Sequence, residues 1–344
     1  MLHVWLCMAI YRNIVVIGTS WGGLKALQEL LPLFPRDLAA SVFIVQHQLP
    51  SAKNLLHEIL GRYTHLPVIL PENGATFKSG VIYVAPSNHH LLVQREHIAV
   101  TFGPRENRAR PSINALFRSA AAYQGPKVIG VLLTGYLNDG VGGLSAIKRC
   151  RGITIVQDPT EAQVSELPQT AIHSVQVDHI LPLRQIAKTI AELVTQPVKP
   201  IFKVPEDIME EVRASEHVVP ELDHMQKVGD LTPYTCPECG GVLWKTKNEP
   251  LTRYVCHTGH SFSPLSFLEG QAEVIENSLW AAIRYIQERI DILLKMAETQ
   301  RNEGRSADEY EQKASEMKAH VVNIRRFVVS GALNTVMDLE AQGG

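Results

Sequence analysis

The sequence predicts an α/β protein: a doubly wound, mostly parallel sheet, followed by a small cysteine-rich module and a helical hairpin. Three observations predict it. Between Ile14 and Val194, short β-branched runs alternate with amphipathic stretches. The runs are apolar at nearly every position, the pattern of strands covered on both faces rather than one. Beyond them, a Cys/His cluster is followed by two long stretches whose apolar residues recur at three- and four-residue steps.

The elements follow in order. Residues 1–13, MLHVWLCMAIYRN, are apolar but carry no basic leader and no small-residue cleavage pattern, and they are too short to span a bilayer. They read as an N-terminal extension, with an added edge strand as the alternative. Residues 14–195 contain the strand runs IVVIG, SVFIVQ, GVIYV, KVIGVLL and ITIVQ, and the helical patterns LKALQELL, AKNLLHEILGRY, INALFRSAAAYQ and GGLSAIKRC. The stretch GVIYVAPSNHHLLVQREHIAV reads as a small antiparallel excursion. Residues 196–230 scatter Pro197, Pro200, Pro205 and Pro220 among charges with weak periodicity, which predicts an extended or disordered linker. Residues 231–263 hold the Cys/His segment. Over 264–330, Ser263 and Pro264 suit a helix start. Ile275, Leu279, Ile283, Ile286, Ile290, Leu293 and Ala297 then line one face, and Ser306–Glu309 reads as a capping box ahead of Tyr310, Ala314, Met317, Val321, Ile324 and Val328. The hairpin is either a simple packed pair or a docking or dimerisation surface. Residues 331–344 are a tail.

Composition narrows the function. A chain of 344 residues with 45% hydrophobic and 20% charged residues can bury a real core, and a formal net charge of −2 offers no single-sign field for nucleic acid or an acidic membrane surface. Of the five cysteines, Cys7 and Cys150 stand apart while Cys236, Cys239 and Cys256 crowd together, which looks like a metal site rather than a disulfide framework. Reduced thiols fit a cytoplasmic protein.

The first chemical motif is Gly18-Thr19-Ser20-Trp21-Gly22, between a strand and a helix. Flanking glycines allow a tight turn that exposes Ser20, and the helix directs free N–H groups at it, as an oxyanion requires. A phosphate or dinucleotide turn and a purely structural turn are the rivals, although the glycine spacing misses the dinucleotide fingerprint and the Lys-Ser/Thr of a P-loop is missing. His47 follows the second strand, and Asp139 lies in Tyr136-Leu-Asn-Asp-Gly140 before a helix. Each alone reads as structural. Parallel strands, however, put their carboxyl ends along one edge, so a hydroxyl, an imidazole and a carboxylate converge on one predicted cleft. The order Ser, His, Asp is not that of the α/β-hydrolases.

Cys236-Pro-Glu-Cys239 and Cys256-His-Thr-Gly-His260 fit a zinc ribbon of three thiolates and one imidazole, His260 being better spaced than His257. A redox dithiol and free thiols are the alternatives. A closed tetrahedral site is structural, and metal would supply much of the stability of so small a module.

Taken in order, Ile17-Gly-Thr-Ser-Trp-Gly-Gly23, Val45-Gln-His47, Gly80-Val-Ile-Tyr-Val-Ala-Pro86, Arg110-Pro-Ser112 and Thr134-Gly-Tyr-Leu-Asn-Asp-Gly140 closely resemble the catalytic domain of the CheB family, the chemotaxis protein-glutamate methylesterases. The resemblance covers about Ile14 to Val194, over half the chain. It implies hydrolysis of glutamyl methyl esters on methyl-accepting chemotaxis receptors, with glutamine deamidation as a second reaction, by a triad that falls on Ser20, His47 and Asp139. Trp21, Thr19, Leu167 and Arg110 are the candidates to touch substrate or oxyanion. Arg108 is a further candidate to grip an acidic receptor helix, and His89 and His90 flank the predicted cleft. No cofactor is expected for the chemistry, and zinc is expected in the C-terminal module. The expected partners are the receptors and a separate regulator or methyltransferase, with no nucleic acid and only peripheral attachment to membrane receptors. Many family members begin with a receiver domain; only thirteen residues precede the first strand here, so that switch is not expected in this sequence. The sequence departs from the family pattern at Trp21, at Tyr136-Leu137 in place of Met-Gly, and at Glu166-Leu167 in place of Gly-Met. A non-catalytic interaction protein working through the zinc-helical tail and an esterase acting on a small-molecule ester are the alternatives.

Overall fold

Strand and helix alternate as the apolar pattern predicts. The structure, a computed structural model, describes residues 10–199, 202–216, 222–247 and 251–331. After a two-residue strand, Ile10–Tyr11 (β1), the first apolar run forms Ile14–Thr19 (β2), every residue of which is buried. Helix α1 (Gly23–Leu30) follows, then β3 (Ser41–Gln46), α2 (Leu56–Gly61), β4 (Val68–Ile69) and β5 (Ile82–Val84). A hairpin, β6 (His90–Val93) and β7 (Ile98–Thr101), interrupts the alternation. It resumes with α3 (Ile113–Gln124), β8 (Val128–Leu132), α4 (Val141–Arg149), β9 (Ile153–Gln157), α5 (Glu166–Ser174), β10 (His179–Leu181) and α6 (Leu183–Leu193).

Seven of these strands make one sheet in the order β10-β9-β8-β2-β3-β5-β4, parallel at every pairing. The antiparallel excursion is the separate β6–β7 pair. The strands are apolar throughout because successive side chains enter different cores. Ile14, Val16, Phe43 and Val45 pack with α3 and α4 residues such as Leu116, Phe117 and Leu144, while Val15, Ile17, Val42 and Ile44 pack with Leu27, Leu30, Ile186 and Ile190 of α1 and α6. Each such side chain contributes about 1.5–3 kcal/mol by leaving water.

Among the described residues, the stretch 196–230 is not the loose linker its prolines suggest; Pro200 and Pro220 lie outside those residues. Pro197–Val198 (β11) pairs antiparallel with β1, so the N-terminal extension carries a short strand, though outside the main sheet; residues 1–9, with Cys7, lie outside the described residues. Pro205 stands at the start of α7 (Glu206–Ser215), where proline is tolerated, instead of breaking it. Ile208 and Val212 of α7 join the core around α3. The acidic residues that resemble a solvated linker include Glu211, which is buried and paired with Arg118 of α3 at 3.1 Å. A short helix, α8 (Leu222–Val228), leads into β12 (Gly229–Thr235), β13 (Val242–Thr246), β14 (Tyr254–Cys256) and β15 (Ser261–Phe262). These four strands form an antiparallel sheet in chain order, over a small core of Met225, Val228, Trp244 and Val255. Arg253, 3% exposed, anchors this sheet: its Nη2 donates to both oxygens of Glu211, at 2.8 and 2.7 Å. Arg118 also pairs with Glu106.

The chain divides into two compact units, Met1–Pro264 and Leu265–Gly344. The second is a hairpin of α9 (Pro264–Asn302) and α10 (Asp308–Val329), with Ile283, Ile290, Ala314 and Val321 at its seam and Ile286, Leu293, Met317 and Ile324 beside them. The capping box expected at Ser306 takes another form. The Ser306 hydroxyl accepts from the Asp308 N–H at 3.3 Å, and Glu309 turns to Lys313 at 2.6 Å, one turn on. Beyond Gly331, the predicted tail lies outside the described residues. No helix among the described residues is long and apolar enough to cross a membrane.

Candidate active site

Strand β2 has β3 on one side and β8 on the other, and the chain runs outward from it in both directions. That reversal opens a crevice at the carboxyl ends of the strands, where α/β proteins bind ligands. Ser20 follows β2, His47 follows β3, and Asp139 lies between β8 and α4. The strand ends are laced together: Ser20 N–H donates to Thr134 O at 3.0 Å, and His47 N–H to Thr19 O at 3.1 Å. Gln46 Nε2 donates to the Ser20 and His47 carbonyls at 2.8 and 3.1 Å. Gly22 turns the chain into α1 at φ 80°, and a Cβ there would come within 2.9 Å of Gln163, so only glycine fits.

The three side chains meet. His47 Nδ1 is 3.1 Å from Ser20 Oγ, and His47 Nε2 is 2.8 Å from Asp139 Oδ2. An ionised carboxylate only accepts, so Nε2 carries the ring proton and Nδ1 is free to accept the Ser20 hydroxyl. Asp139, 3% exposed, is held on every side. Its Oδ2 also accepts from Ile113 N–H at 2.7 Å. Its Oδ1 accepts from Ser112 Oγ at 2.9 Å, Asn114 N–H at 3.3 Å and Asn107 Nδ2 at 3.4 Å. The amino end of α3 thus cradles the carboxylate. Burial alone would raise the Asp139 carboxyl. The hydrogen bond and attraction of the His47 ring, with the Ile113 N–H and the Ser112 hydroxyl, outweigh it and hold the group below the usual carboxylate range.

An open cleft of about 690 Å³ fronts Ser20 and His47, lined by Trp21, Leu24, Lys25, Leu49 and Gln163 among others. Trp21 is 63% exposed, and its ring lies 6.3 Å from that of Tyr136. The structure departs from the expected contacts at three positions. Thr19 is wholly buried and its hydroxyl donates to Thr134 O at 2.9 Å, so it braces the turn from behind. Leu167 is likewise buried, and its N–H is used by Gly135 O at 2.9 Å. Arg110 donates to Asn88 Oδ1 at 3.1 and 2.9 Å and to Gly103 O at 2.7 Å, and its guanidinium covers the Phe102 ring at 3.5 Å, which makes it a loop brace. His90 is also structural: buried, it bonds Pro104 O at 2.8 Å through Nε2 and accepts Ser112 N–H at 3.2 Å through Nδ1. His89 packs edge-on against Phe102 at 5.6 Å.

Sequence reasoning gave no role to Gln46, Asn107 or Ser112. Only Ser112 carries a local sign, a serine just ahead of a helical pattern; it caps α3 by accepting from Ala115 N–H at 3.4 Å. Two departures from the family pattern prove to be joined. Leu137 adopts φ 63°, the left-handed region that favours glycine, and its N–H donates to Glu166 Oε1 at 2.8 Å. The carboxylate at one altered position steadies the strained backbone at the other.

The ligand atoms of Cys236, Cys239, Cys256 and His260 all lie within 4.8 Å of one another. Cys239 Sγ to Cys256 Sγ is 3.8 Å and Cys256 Sγ to His260 Nδ1 is 3.5 Å. Tetrahedral zinc bonds of ~2.3 Å to sulfur and ~2.0–2.1 Å to nitrogen require edges of ~3.8 and ~3.6 Å, so the set fits a zinc ion. The hydrogen bond with Cys236 lowers the Cys256 thiol, toward the thiolate form that binds metal. Burial opposes a charged His260, but its hydrogen bond with Cys256 raises it.

A family described as CheB methylesterase matches residues 15–190. A Leptospira interrogans protein provisionally named protein-glutamate methylesterase/protein-glutamine glutaminase is 37% identical over 180 residues, 52% of this chain and 93% of that protein. Protein-glutamate methylesterase/protein-glutamine glutaminase 2 of Methanosarcina mazei is 34% identical over 191 residues, 53% of this chain and 52% of its own length. The crystal structure of the Thermotoga maritima CheB methylesterase catalytic domain superposes with a TM-score of 0.52 at 30% identity, covering 54% of this chain and 100% of that one. The chain belongs to the CheB methylesterase family of enzymes.

Proposed function

We propose that the chain hydrolyses glutamyl methyl esters on methyl-accepting chemotaxis receptors, with Ser20 as nucleophile, His47 as base and Asp139 as the group that orients the base. The observation that carries this reading is the relay of 3.1 Å from Ser20 Oγ to His47 Nδ1 and 2.8 Å from His47 Nε2 to Asp139. Nδ1 takes the hydroxyl proton as Oγ attacks the ester carbonyl, and Asp139 stabilises the imidazolium that forms. The Trp21 N–H, at the head of α1, receives the developing oxyanion. Nδ1 then returns the proton to the departing methoxide, giving methanol and an acyl-enzyme. Water, deprotonated by the same nitrogen, releases glutamate and regenerates Ser20. The same attack on a glutamine side chain releases ammonia instead.

The ester is the product of a methyltransferase acting on the same receptor, and the enzyme works in the cytoplasm, where its clustered thiols stay reduced. Residues 14–195 are the catalytic domain, 231–263 a zinc-binding module and 264–330 a docking hairpin. Cys236, Cys239, Cys256 and His260 hold the zinc, which supplies a structural crosslink. Methanol release from a methylated receptor fragment tests the reading. Ser20→Ala is expected to lower kcat by ~10⁴-fold or more. A serine-directed fluorophosphonate is expected to label the Ser20 peptide. Equal methanol release by wild type and Ser20→Ala would reject the mechanism, and much faster cleavage of chromogenic small esters would reassign the substrate.

A further inference from the structure

The strand that leaves the metal group is tied to the loop that holds Asp139. His260 is followed at once by β15, Ser261–Phe262. Ser261 O accepts from Asn107 N–H at 2.7 Å, and Ser261 N–H donates to Arg105 O at 3.3 Å. Ser263 N–H donates to Asn107 Oδ1 at 2.9 Å. That bond fixes which way the Asn107 amide faces, because only its oxygen can accept from a backbone N–H. Its Nδ2 is thereby turned to Asp139 Oδ1, at a long 3.4 Å. Asn107 is buried and holds φ 48°, a left-handed conformation that asparagine tolerates better than most residues.

We infer that Asn107 is a positioning residue through which order in the Cys3His module reaches the triad, so that the esterase depends on a metal that never meets the ester. The inference rests on the triad and the metal reading proposed above. The module has short strands and a four-residue apolar core, too little to keep it folded alone. Without metal, three close sulfurs and an imidazole lose their common partner, and β15 has one less tether. Asn107 then loses the Ser261 carbonyl that accepts from its backbone N–H and the Ser263 N–H that fixes its side-chain amide. Asp139 keeps Ser112 and the α3 amides, so the consequence is a loosened carboxylate rather than a lost one.

The test uses the full chain as zinc-loaded, chelated and zinc-restored protein, each with Asn107 intact and as Asn107→Ala. Zinc content, kcat and KM on the methylated receptor fragment, and hydrogen exchange at the Asn107 and Ile113 amides are read. Chelation is expected to lower kcat about tenfold with KM changed less than about twofold, an effect on the scale of a lost outer-shell partner. Exchange at both amides is expected to quicken while β8 stays protected, and restored zinc reverses both. In Asn107→Ala, kcat starts about tenfold low and chelation removes less than about a further twofold, because both changes act through the same bonds. Asn107→Gly, which keeps the left-handed turn unstrained, is expected to behave the same way. Unchanged kcat and exchange on chelation would overturn the inference. So would losses from chelation and Asn107→Gly that multiply, or failure of the chain to bind zinc one to one. A Ser20→Ala variant with wild-type kcat rejects the triad itself; an inactive Ser20→Ala beside a chelation-insensitive wild type rejects only this inference.

Discussion

Replacing Ser112 with alanine is expected to cost both stability and turnover, in unequal parts. The Ser112 hydroxyl donates to Asp139 Oδ1 at 2.9 Å and accepts from Ala115 N–H at 3.4 Å. A hydrogen bond to a buried charge contributes ~1.5–3 kcal/mol. Asp139 Oδ1 retains Asn114 N–H at 3.3 Å and Asn107 Nδ2 at 3.4 Å, so it is not left unpaired and the low end, ~1.5 kcal/mol, applies. The cap bond is long and adds about 0.5 kcal/mol, the bottom of the range for serine caps. A total of about 2 kcal/mol corresponds to a melting temperature lower by ~4–8 °C for a unit of this size. Only the Asp139 share reaches the chemistry. If about 1 kcal/mol of it is lost where His47 becomes charged, kcat falls about fivefold with KM unchanged. Thermal unfolding followed by circular dichroism, with methanol-release kinetics, measures both. Full kcat and an unshifted melting temperature in Ser112→Ala would show that Asp139 is held without this hydroxyl, and the cradle argument would fail.

Three further outcomes follow from the same structure. Arg253→Ala leaves the buried Glu211 with Arg118 alone and is expected to destabilise the first unit by about 3 kcal/mol, the low end for breaking a buried pair; a urea midpoint equal to wild type would contradict it. Burial would raise Glu211, but Arg253 and Arg118 pull it below the usual carboxylate range, as His47 and its neighbours do for Asp139. Groups depressed in the folded state stabilise it above their unfolded pKa of ~4 and lose that contribution as pH falls through their lower folded values, so urea midpoints are expected to drop below about pH 4, and a rise there would refute the assignment. Gly22→Ala forces a side chain into φ 80° with its Cβ 2.9 Å from Gln163, and is expected to cost more than about 1 kcal/mol and most of the activity; a soluble, fully active variant would show that the Ser20 turn is not constrained as described.

How much of this was legible beforehand depends on how local each feature is. β2, β3, β8 and β9 announce themselves because burial on both faces leaves unbroken apolar runs. β4 and β10, of two and three residues, are too short to show any period. Helix α7 was hidden by prolines and charge, since nothing in its own sequence tells that Glu211 will be paired by arginines from α3 and from the β13–β14 connection. Arg110 shows the converse: a cation beside a cleft looks like a substrate grip, yet its donors are consumed by Asn88 and Gly103.

The sequence by itself determined the parallel sheet, the edge at which Ser20, His47 and Asp139 emerge, and the four residues of the Cys3His group. Residue type, hydrophobic period and spacing are local properties, and they suffice to say which groups end up on one side of a sheet. Only the tertiary structure decided that His47 faces the hydroxyl through Nδ1, that the amino end of α3 encloses Asp139, and that Asn107 links this carboxylate to the strand after His260. Those are matters of ångströms between segments far apart in the chain, set by how two covered faces pack at native density, and no spacing along one strand encodes them.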